Sequence, residues 1–194
     1  KRKKMKIHEI IITSCDSDGN HHVAPMGINI IGENVIIKPF KPSKTLDNLL
    51  QVKQAVVNFV EDVRVFAGIV TREKTDWSLE GVDNKKVNRL SNANSYYYVD
   101  LDSHVDHEVR PELKCIISHK ESFEPFLGFN RAQFSVIEAS VLTSRLGMIP
   151  LNKIKDEINY LKIGLDKTAG EKELEAWNWI EKKIRIFEEN NNDS

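Results

Sequence analysis

The sequence predicts an α+β fold in which antiparallel strands fill the first two-thirds of the chain and helices fill the last third. Short runs rich in β-branched residues, separated by turns of Gly, Asp and Asn, recur from residue 6 to residue 118. From Asn130 onward, apolar residues instead recur every three or four positions, which is the period of a helix. The change predicts two domains: a β domain over residues 5–128 and a helical segment over residues 129–190 packed on it.

The composition excludes several classes of protein. The chain has 194 residues, with 28 Lys and Arg against 29 Asp and Glu. This balance argues against binding nucleic acid through bulk positive charge. The two cysteines, Cys15 and Cys115, are too few for a disulfide framework or for a tetrahedral metal site of their own. No apolar run is long enough to span a bilayer, so we expect a cytoplasmic protein that binds neither membrane nor nucleic acid.

The β domain reads as strands and hairpins in close succession, after a basic run at residues 1–4 that we expect to be solvated. Strands are predicted over residues 6–14, 21–31, 35–37, 55–60, 63–70, 96–101 and 113–118. The second strand contains Ala24, Pro25, Met26 and Gly27, although proline donates no ladder hydrogen bond and glycine packs nothing. We expect an interruption there, which is either a bulge or sheet edge, or a place where a flat ligand lies against bare backbone.

The stretch from Lys38 to Leu50 joins a strand to a short helix. Ser43 occupies the N-cap position of that helix, and leucines at spacings of three and four give it one apolar face. Free N–H groups at a helix start, with hydroxyl and ammonium groups nearby, are the donors that a phosphate monoester needs. Lys41, Ser43, Lys44 and Thr45 supply them here. The same residues equally suit a capped surface helix with solvated lysines.

One polar residue lies within an apolar strand. Asn58 interrupts the run over residues 55–60, whose other members are apolar on both faces. A buried amide must find partners, so it either satisfies neighbouring backbone or faces a ligand. We favour the ligand.

The segment from Asp100 to His107 is a candidate for a cation. In an extended chain, Asp100, Asp102, His104 and Asp106 would share one face, where they could hold a divalent ion. A solvated strand edge gives the same pattern, and the spacing matches no closed metal motif. We therefore expect no metal. Residues 71–95 predict a long loop or a partly helical excursion at the border of a site.

The last third predicts three helices. The first begins after Asn130 and runs to Gly147, and the second covers residues 151–164 after Pro150. The third opens with a capping box formed by Thr168 and Glu171, and it ends in a polar tail over residues 188–194 that we expect to fray.

Taken together, these blocks resemble the FMN-binding split barrel, the fold of flavin reductases and pyridoxamine-phosphate oxidases. More specifically, the chain resembles an uncharacterised prokaryotic flavoprotein family, catalogued as domain of unknown function 447, that couples this barrel to a helical C-terminal segment. The matching blocks are residues 24–27, 39–45 with 48–49, 55–59 with 62–63, 129–132, 136–139 and 143–146. The polar excursion over residues 71–95 is longer than the resemblance leads us to expect.

The resemblance implies FMN as the cofactor and suggests which residues bind it. The phosphate would be taken by Lys41, Ser43, Lys44 and Thr45, within the stretch that begins at Pro39 and Phe40 and with help from the amide of Asn48. The backbone of Ala24, Pro25, Met26 and Gly27 would lie beside the isoalloxazine, where Gly27 allows close approach. Asn58 would bond the pyrimidine edge of the ring.

The resemblance also implies a homodimer with the flavin near the subunit interface, to which Arg131 of either chain would contribute. The function it implies is an oxidoreductase in which NADH or NADPH reduces FMN and electrons pass to an unidentified acceptor. No catalytic side chain is identified, because hydride transfer to a flavin demands no separate acid–base pair. The alternative is a flavin-binding carrier or redox sensor without turnover. A nucleic-acid module is disfavoured, since Phe40 is the only aromatic residue in the basic stretch.

Overall fold

The computed structural model describes residues 5–192, so the basic run at residues 1–4 and the last two residues of the polar tail lie outside it. The chain forms two compact units. The first comprises the residues up to Val60 together with Trp77–Phe126, and the second comprises Glu61–Asp76 with the residues from Leu127 onward. The predicted division at residue 128 differs from these units in two places, because residues 61–76 and 127–128 belong to the second unit.

The first unit is a closed antiparallel barrel. Its strands follow the order β1 (His8–Cys15), β2 (His21–Ile31), β3 (Asn34–Ile37), β8 (Glu112–Ser122), β7 (Ser95–Val105) and β4 (Gln54–Phe59). A separate two-stranded ribbon pairs β5 (Leu79–Glu80) with β6 (Arg89–Leu90). The prediction of an antiparallel β domain followed by helices is confirmed.

Alternate side chains of each strand fill the barrel. Ile10 and Ile12 of β1 meet Val57 of β4 and Leu113 of β8 in one buried cluster, as the period of two along a strand requires. Helix α1 (Lys44–Val52) adds Leu46 and Leu49 to the same cluster. The apolar face of α1 therefore completes the interior of the barrel.

Strand β2 is continuous and has no bulge, so among the predicted alternatives the pairing supports a sheet edge. It pairs with β1 without a register shift from His21 to Ile28. Its pairing with β3 covers only Ile28–Ile31, which leaves residues 21–27 with a strand on one side. Pro25 is tolerated there because a missing N–H group costs nothing on the side without a partner. The sheet-edge alternative accounts for the unusual sequence.

Residues 63–70 were predicted to be a strand, and that prediction is wrong. Arg64–Thr71 form helix α2, and the carboxylate of Asp62 accepts a hydrogen bond from the N–H of Arg64 at 3.2 Å. Val63 and Ala67, four residues apart, both enter the helical core of the second unit. Packing of that helical face overrides the strand preference of a sequence rich in valine.

The second unit combines α2 with α3 (Arg131–Thr143), α4 (Leu151–Thr168) and α5 (Glu171–Asn192). The predicted capping box is wrong, because Thr168 ends α4 and donates its hydroxyl hydrogen to the carbonyl of Gly164 at 2.8 Å. Instead, the carboxylate of Glu173 accepts a hydrogen bond from the N–H of Gly170 ahead of α5. Helix α5 reaches Asn192, so residues 188–192 of the tail predicted to fray are helical. Within residues 5–192, no helix has the length and apolar character needed to cross a membrane.

Candidate functional site

The start of α1 has free hydrogen-bond donors. Ser43 caps the helix with its hydroxyl oxygen, which accepts a hydrogen bond from the N–H of Leu46 at 3.3 Å. Its carbonyl accepts a hydrogen bond from the N–H of Asp47 at 3.1 Å. Among the described residues, the N–H groups of Lys44 and Thr45 have no partner. Two such groups at the positive end of a helix can hold an anion.

Of the three lysines in this stretch, only Lys44 lacks a carboxylate partner among residues 5–192. Lys38 pairs with Glu112 at 2.8 Å. The ammonium of Lys41 lies 2.8 and 3.0 Å from the two carboxylate oxygens of Asp106. A bound anion would therefore meet the free charge of Lys44 first, whereas Lys41 would contribute only by giving up its pair with Asp106.

The chain between β7 and β8 holds the segment before α1 in place. The N–H of Lys41 donates to the carbonyl of Val109 at 3.0 Å, and the guanidinium of Arg110 lies 4.3 Å from the ring centre of Phe40. Pro39 is buried, whereas Phe40 is exposed. The ring of Phe40 therefore packs against an arginine of its own chain.

Thr45 and Asn48 face the interior. Both side chains are buried, and the amide of Asn48 donates to the hydroxyl oxygen of Ser14 at 3.0 Å. This contact ties α1 to β1. The N–H of Thr45 is thus better placed to meet an anion than its buried hydroxyl, and Asn48 anchors the helix.

His22 belongs to this region although sequence reasoning did not select it. It is half-buried on β2, and its pKa is lowered, first by burial and then by the positive charge of Lys44. His22 lies two and four residues from Ala24 and Met26, which pack against the barrel interior. That spacing of two along the strand is the signal by which the sequence could have identified His22.

The other face of β2 carries Pro25 and Gly27. A Cβ atom at Gly27 would lie 2.9 Å from Cγ2 of Ile7 and 3.6 Å from Oε1 of Glu9. The missing side chain therefore makes room for Ile7 of the same unit. Close approach of a ligand, the predicted reason for glycine here, is not needed to explain it.

Asn58 is bonded to neighbouring backbone and side chains, which is the alternative to the ligand role that the sequence favoured. It is completely buried, and its amide nitrogen lies 3.1 Å from the carbonyl oxygen of Ile11 and 3.3 Å from the hydroxyl oxygen of Thr13. Its amide oxygen accepts a hydrogen bond from the N–H of Leu90 at 2.9 Å. The amide joins β1 and β4 to β6, so its bonding capacity is used within the protein.

The long loop is fixed across the outside of the barrel. The carbonyl of Asn88 accepts a hydrogen bond from the hydroxyl of Thr13 at 2.7 Å, and the N–H of Asn88 donates to Nε2 of His21 at 2.9 Å. Together with the bond from Leu90 to Asn58, these contacts bind residues 88–90 to β1, β2 and β4.

The acidic residues of β7 are distributed among separate partners. Asp100 accepts a hydrogen bond from Gln54 at 2.9 Å, and Asp102 lies 3.5 Å from Lys114. The register of β7 against β8 shifts between Leu101 and Ser103, which breaks the alternation that would have aligned the carboxylates. Among the described residues, no cluster of ligands suited to a metal ion forms.

Two family models match the sequence. The N-terminal domain of the protein of unknown function DUF447 matches residues 8–124, and a second DUF447 model matches residues 130–182. The chain belongs to the DUF447 family. No curated protein matched it in sequence.

Solved structures share the fold of this DUF447 protein. An FMN-bound DUF447 protein of Methanosarcina mazei matches with a TM-score of 0.81 and 22% identity, over 93% of this chain and 96% of the other. A 2-nitrobenzoate 2-nitroreductase of Pseudomonas fluorescens matches with a TM-score of 0.54 and 20% identity, over 63% and 67%. A putative flavin reductase with a split barrel domain from Shewanella frigidimarina matches with a TM-score of 0.55 and 14% identity, over 64% of this chain and 74% of the other.

Arg131 lies apart from the barrel in sequence and belongs to the second unit of the DUF447 chain. It is the first residue of α3, its side chain is exposed, and it borders a cleft of about 190 Å³ with Phe134 and Tyr160. A role for Arg131 in a flavin site stays a prediction.

Proposed function

We propose that this DUF447 protein binds FMN, with the phosphate at the start of α1. The observation that carries the proposal is the set of free donors there: the N–H groups of Lys44 and Thr45 and the unpaired ammonium of Lys44. These groups suit a phosphate monoester, which brings negative charge and accepts several hydrogen bonds. The FMN-bound family member from Methanosarcina mazei, which covers nearly the whole chain, supports the choice of flavin.

In this proposal, each part of the chain has a defined task. Ser43 and Lys44 hold the phosphate. His22 lies near Lys44, and its pKa is lowered first by burial and then by the positive charge of that lysine. The edge of β2 over residues 24–27, which pairs with β1 on one side only, offers backbone groups to the isoalloxazine. The bound FMN would supply the electron chemistry, and the protein groups orient it.

The reaction proposed is oxidation of NADH or NADPH with transfer of electrons to an acceptor that is not identified. The likeness of the barrel to a putative flavin reductase and to a nitroreductase supports this reaction type. A cytoplasmic location is part of the proposal, and the two buried free thiols, Cys15 and Cys115, suit a reducing compartment.

We also propose a homodimer with the flavin near the subunit interface. Large apolar side chains support it: Leu127, Phe129 and Phe134 are 85%, 101% and 60% exposed. Exposed apolar surface of this kind is characteristic of interaction sites.

The proposed phosphate site is tested by titrating the protein with FMN, using flavin fluorescence and calorimetry. Replacing Ser43 and Lys44 together by alanine should weaken FMN affinity at least tenfold, since a charge-assisted hydrogen bond contributes about 1.5–3 kcal/mol. Lys114→Ala, which removes an exposed lysine of β8, is the matched control and should leave the affinity unchanged. A protein that binds no FMN, or equal affinity in the double variant and the control, refutes the proposal.

The proposed reaction needs a separate measurement. Anaerobic mixing of the FMN-loaded protein with NADH or NADPH should bleach the flavin absorbance. Absence of bleaching with both donors would contradict the oxidoreductase and favour the carrier or redox sensor.

A further inference from the structure

A second cleft lies on the outside of the barrel and shares no residue with the start of α1. It encloses about 650 Å³ between the loop that carries β5 and β6 and the outward faces of β7 and β8. Small-molecule pockets in proteins have volumes of about 300–1,000 Å³. Its lining includes Lys85 and Arg89 from the loop, and Tyr96, His119, Glu121 and Phe123 from the strands and their end.

An aromatic wall forms one side of this outer cleft. The rings of Tyr96 and Phe123 are stacked with centres 6.0 Å apart, and the ring of His119 lies 5.8 Å from that of Tyr96. The guanidinium of Arg89 lies 4.2 Å from the centre of the Phe123 ring and bonds Glu80 and the carbonyl of Leu90. These contacts fix Arg89, while Phe123 stays 41% exposed. The part of this fixed ring that neither Arg89 nor Tyr96 covers can pack against a flat ligand.

Two carboxylates beside this wall can accept further hydrogen bonds. The hydroxyl of Tyr96 donates to Oε2 of Glu121 at 2.8 Å, which leaves Oε1 without a donor among the described residues. Asp83 lies near the same hydroxyl and makes no ion pair within the described part of the chain. Burial first, and then the hydrogen bond to Glu121, raise the pKa of Tyr96 to about 12, so the tyrosine stays protonated as a donor. The free carboxylate oxygens can accept hydrogen bonds from an amino group.

The cleft also presents one free cation. Lys85 is half-buried with its ammonium 4.6 Å from the ring centre of Tyr98, and no carboxylate within residues 5–192 pairs with it. Arg89, by contrast, is neutralised by Glu80. A ligand that fits the cleft therefore combines a flat ring, an amino group and a negative charge.

We propose that the outer cleft is a binding site for an adenine nucleotide. The base packs against the exposed part of Phe123, its amino group donates to Glu121 and Asp83, and the phosphate meets Lys85. The site is independent of the proposed FMN site, since it uses none of the same residues.

The test is calorimetric titration of the full chain with AMP, adenosine and IMP, each with and without saturating FMN. AMP should bind at one site in both states. IMP, which lacks the amino group, should bind at least fivefold more weakly than AMP. Displacement of AMP by FMN would place it at the start of α1 and overturn the proposal, as would no saturable binding of AMP at millimolar concentration.

Variants of the cleft separate the contribution of the phosphate from that of the amino group. Lys85→Ala should weaken AMP about tenfold while leaving adenosine nearly unchanged, because only AMP carries the phosphate. Glu121→Gln, which preserves an acceptor for Tyr96, should weaken both ligands. The controls are Lys120→Ala and Glu33→Gln, which break an exposed ion pair of 2.9 Å outside the cleft and should change neither affinity.

The variants must keep the fold for the comparison to count. Lys85 and Glu121 are accessible side chains, and circular dichroism with the thermal midpoint verifies that each variant is intact. AMP affinities equal to wild type in both Lys85→Ala and Glu121→Gln would overturn the assignment of the cleft.

Discussion

A single amide, Asn58, links two strands of the barrel, β1 and β4, to strand β6 of the two-stranded ribbon. Replacing it with alanine leaves the N–H of Leu90 without its side-chain acceptor and removes a donor from the carbonyl of Ile11, both in a buried position. Because unsatisfied buried groups are costly, we expect the free energy of unfolding to fall by about 2–4 kcal/mol. Urea denaturation followed by circular dichroism measures the change.

The control for this variant is Asn34→Ala, because the amide of Asn34 makes one long bond of 3.4 Å to the carbonyl of Ile31 at an exposed turn. We expect a change below about 1 kcal/mol there. FMN affinity should survive in Asn58→Ala samples that remain folded. A stable Asn58→Ala protein with lost FMN affinity would restore the ligand role that the sequence suggested.

His22 reports on charge at the start of α1. Burial first, and then the ammonium of Lys44, hold its pKa below the usual value. A bound phosphate dianion favours the protonated imidazole, so saturation with FMN should raise the pKa of His22. Proton NMR titration of the His22 ring, with and without FMN, measures the shift.

The variant Lys44→Ala tests the direction in which the lysine shifts the pKa of His22. Removing the positive charge should raise the pKa of His22 in the protein without FMN. An imidazole whose titration is the same before and after saturation with FMN would show that the phosphate lies elsewhere.

At the scale of elements, Gly68 shows how tightly α2 packs in the second unit. A Cβ atom there would lie 2.8 Å from the carbonyl oxygen of Lys74 and 3.3 Å from Cζ3 of Trp179. Alanine gains about 1 kcal/mol of helix propensity over glycine, but overpacking costs about 1–3 kcal/mol. Because the backbone carbonyl of Lys74 cannot move away easily, we expect Gly68→Ala to destabilise the second unit. Urea denaturation followed by tryptophan fluorescence measures the change.

Gly81→Ala is the comparison for the Gly68 variant, because a Cβ atom at Gly81 would meet nothing within 4 Å. Its stability should equal that of the wild type within about 0.5 kcal/mol. A Gly68→Ala protein as stable as the Gly81 variant would contradict the packing of α2.

The elements that sequence reasoning placed well are those with a clear period. The strands of the barrel and the helix start at Ser43 follow from alternation and capping, and the structure has them where expected. Helix α2 could not be found in this way, because its short sequence is rich in valine and its helical face is defined by residues distant in the chain. The sequence could not decide between a sheet edge and a ligand contact at Pro25, because one-sided pairing, which tolerates proline, is a property of the assembled barrel.

In the candidate site too, the features set by local sequence could be predicted and the contacts between distant residues could not. The free donors at the start of α1 follow from local sequence, since a cap residue and its neighbours define a helix end. The pairing of Lys41 with Asp106 and the bonds of Asn58 to β1 and β6 join residues far apart in the chain. No local pattern contains them, so the sequence suggested ligand contacts where the structure has internal ones.

For the whole molecule, the proposed dimer makes a prediction about mass. Light scattering after size exclusion should give about twice the chain mass of 22.3 kDa. Leu127→Glu should shift the protein toward the monomer, because a charge at an apolar interface loses its hydration on association. Glu124→Lys, a charge change at another exposed residue, is the control and should leave the mass unchanged. A wild-type monomer at micromolar concentration would refute the dimer.

Helix α1 completes the barrel interior with Leu46 and Leu49 and leaves its first N–H groups free. A ligand held at that end stabilises the folded chain by RT ln(1 + [L]/Kd), about 2.7 kcal/mol at a hundredfold excess over Kd. Where the ligand is FMN, the supply of flavin would therefore influence how long newly made chains escape proteases. Riboflavin starvation would then deplete the protein itself as well as any activity it carries.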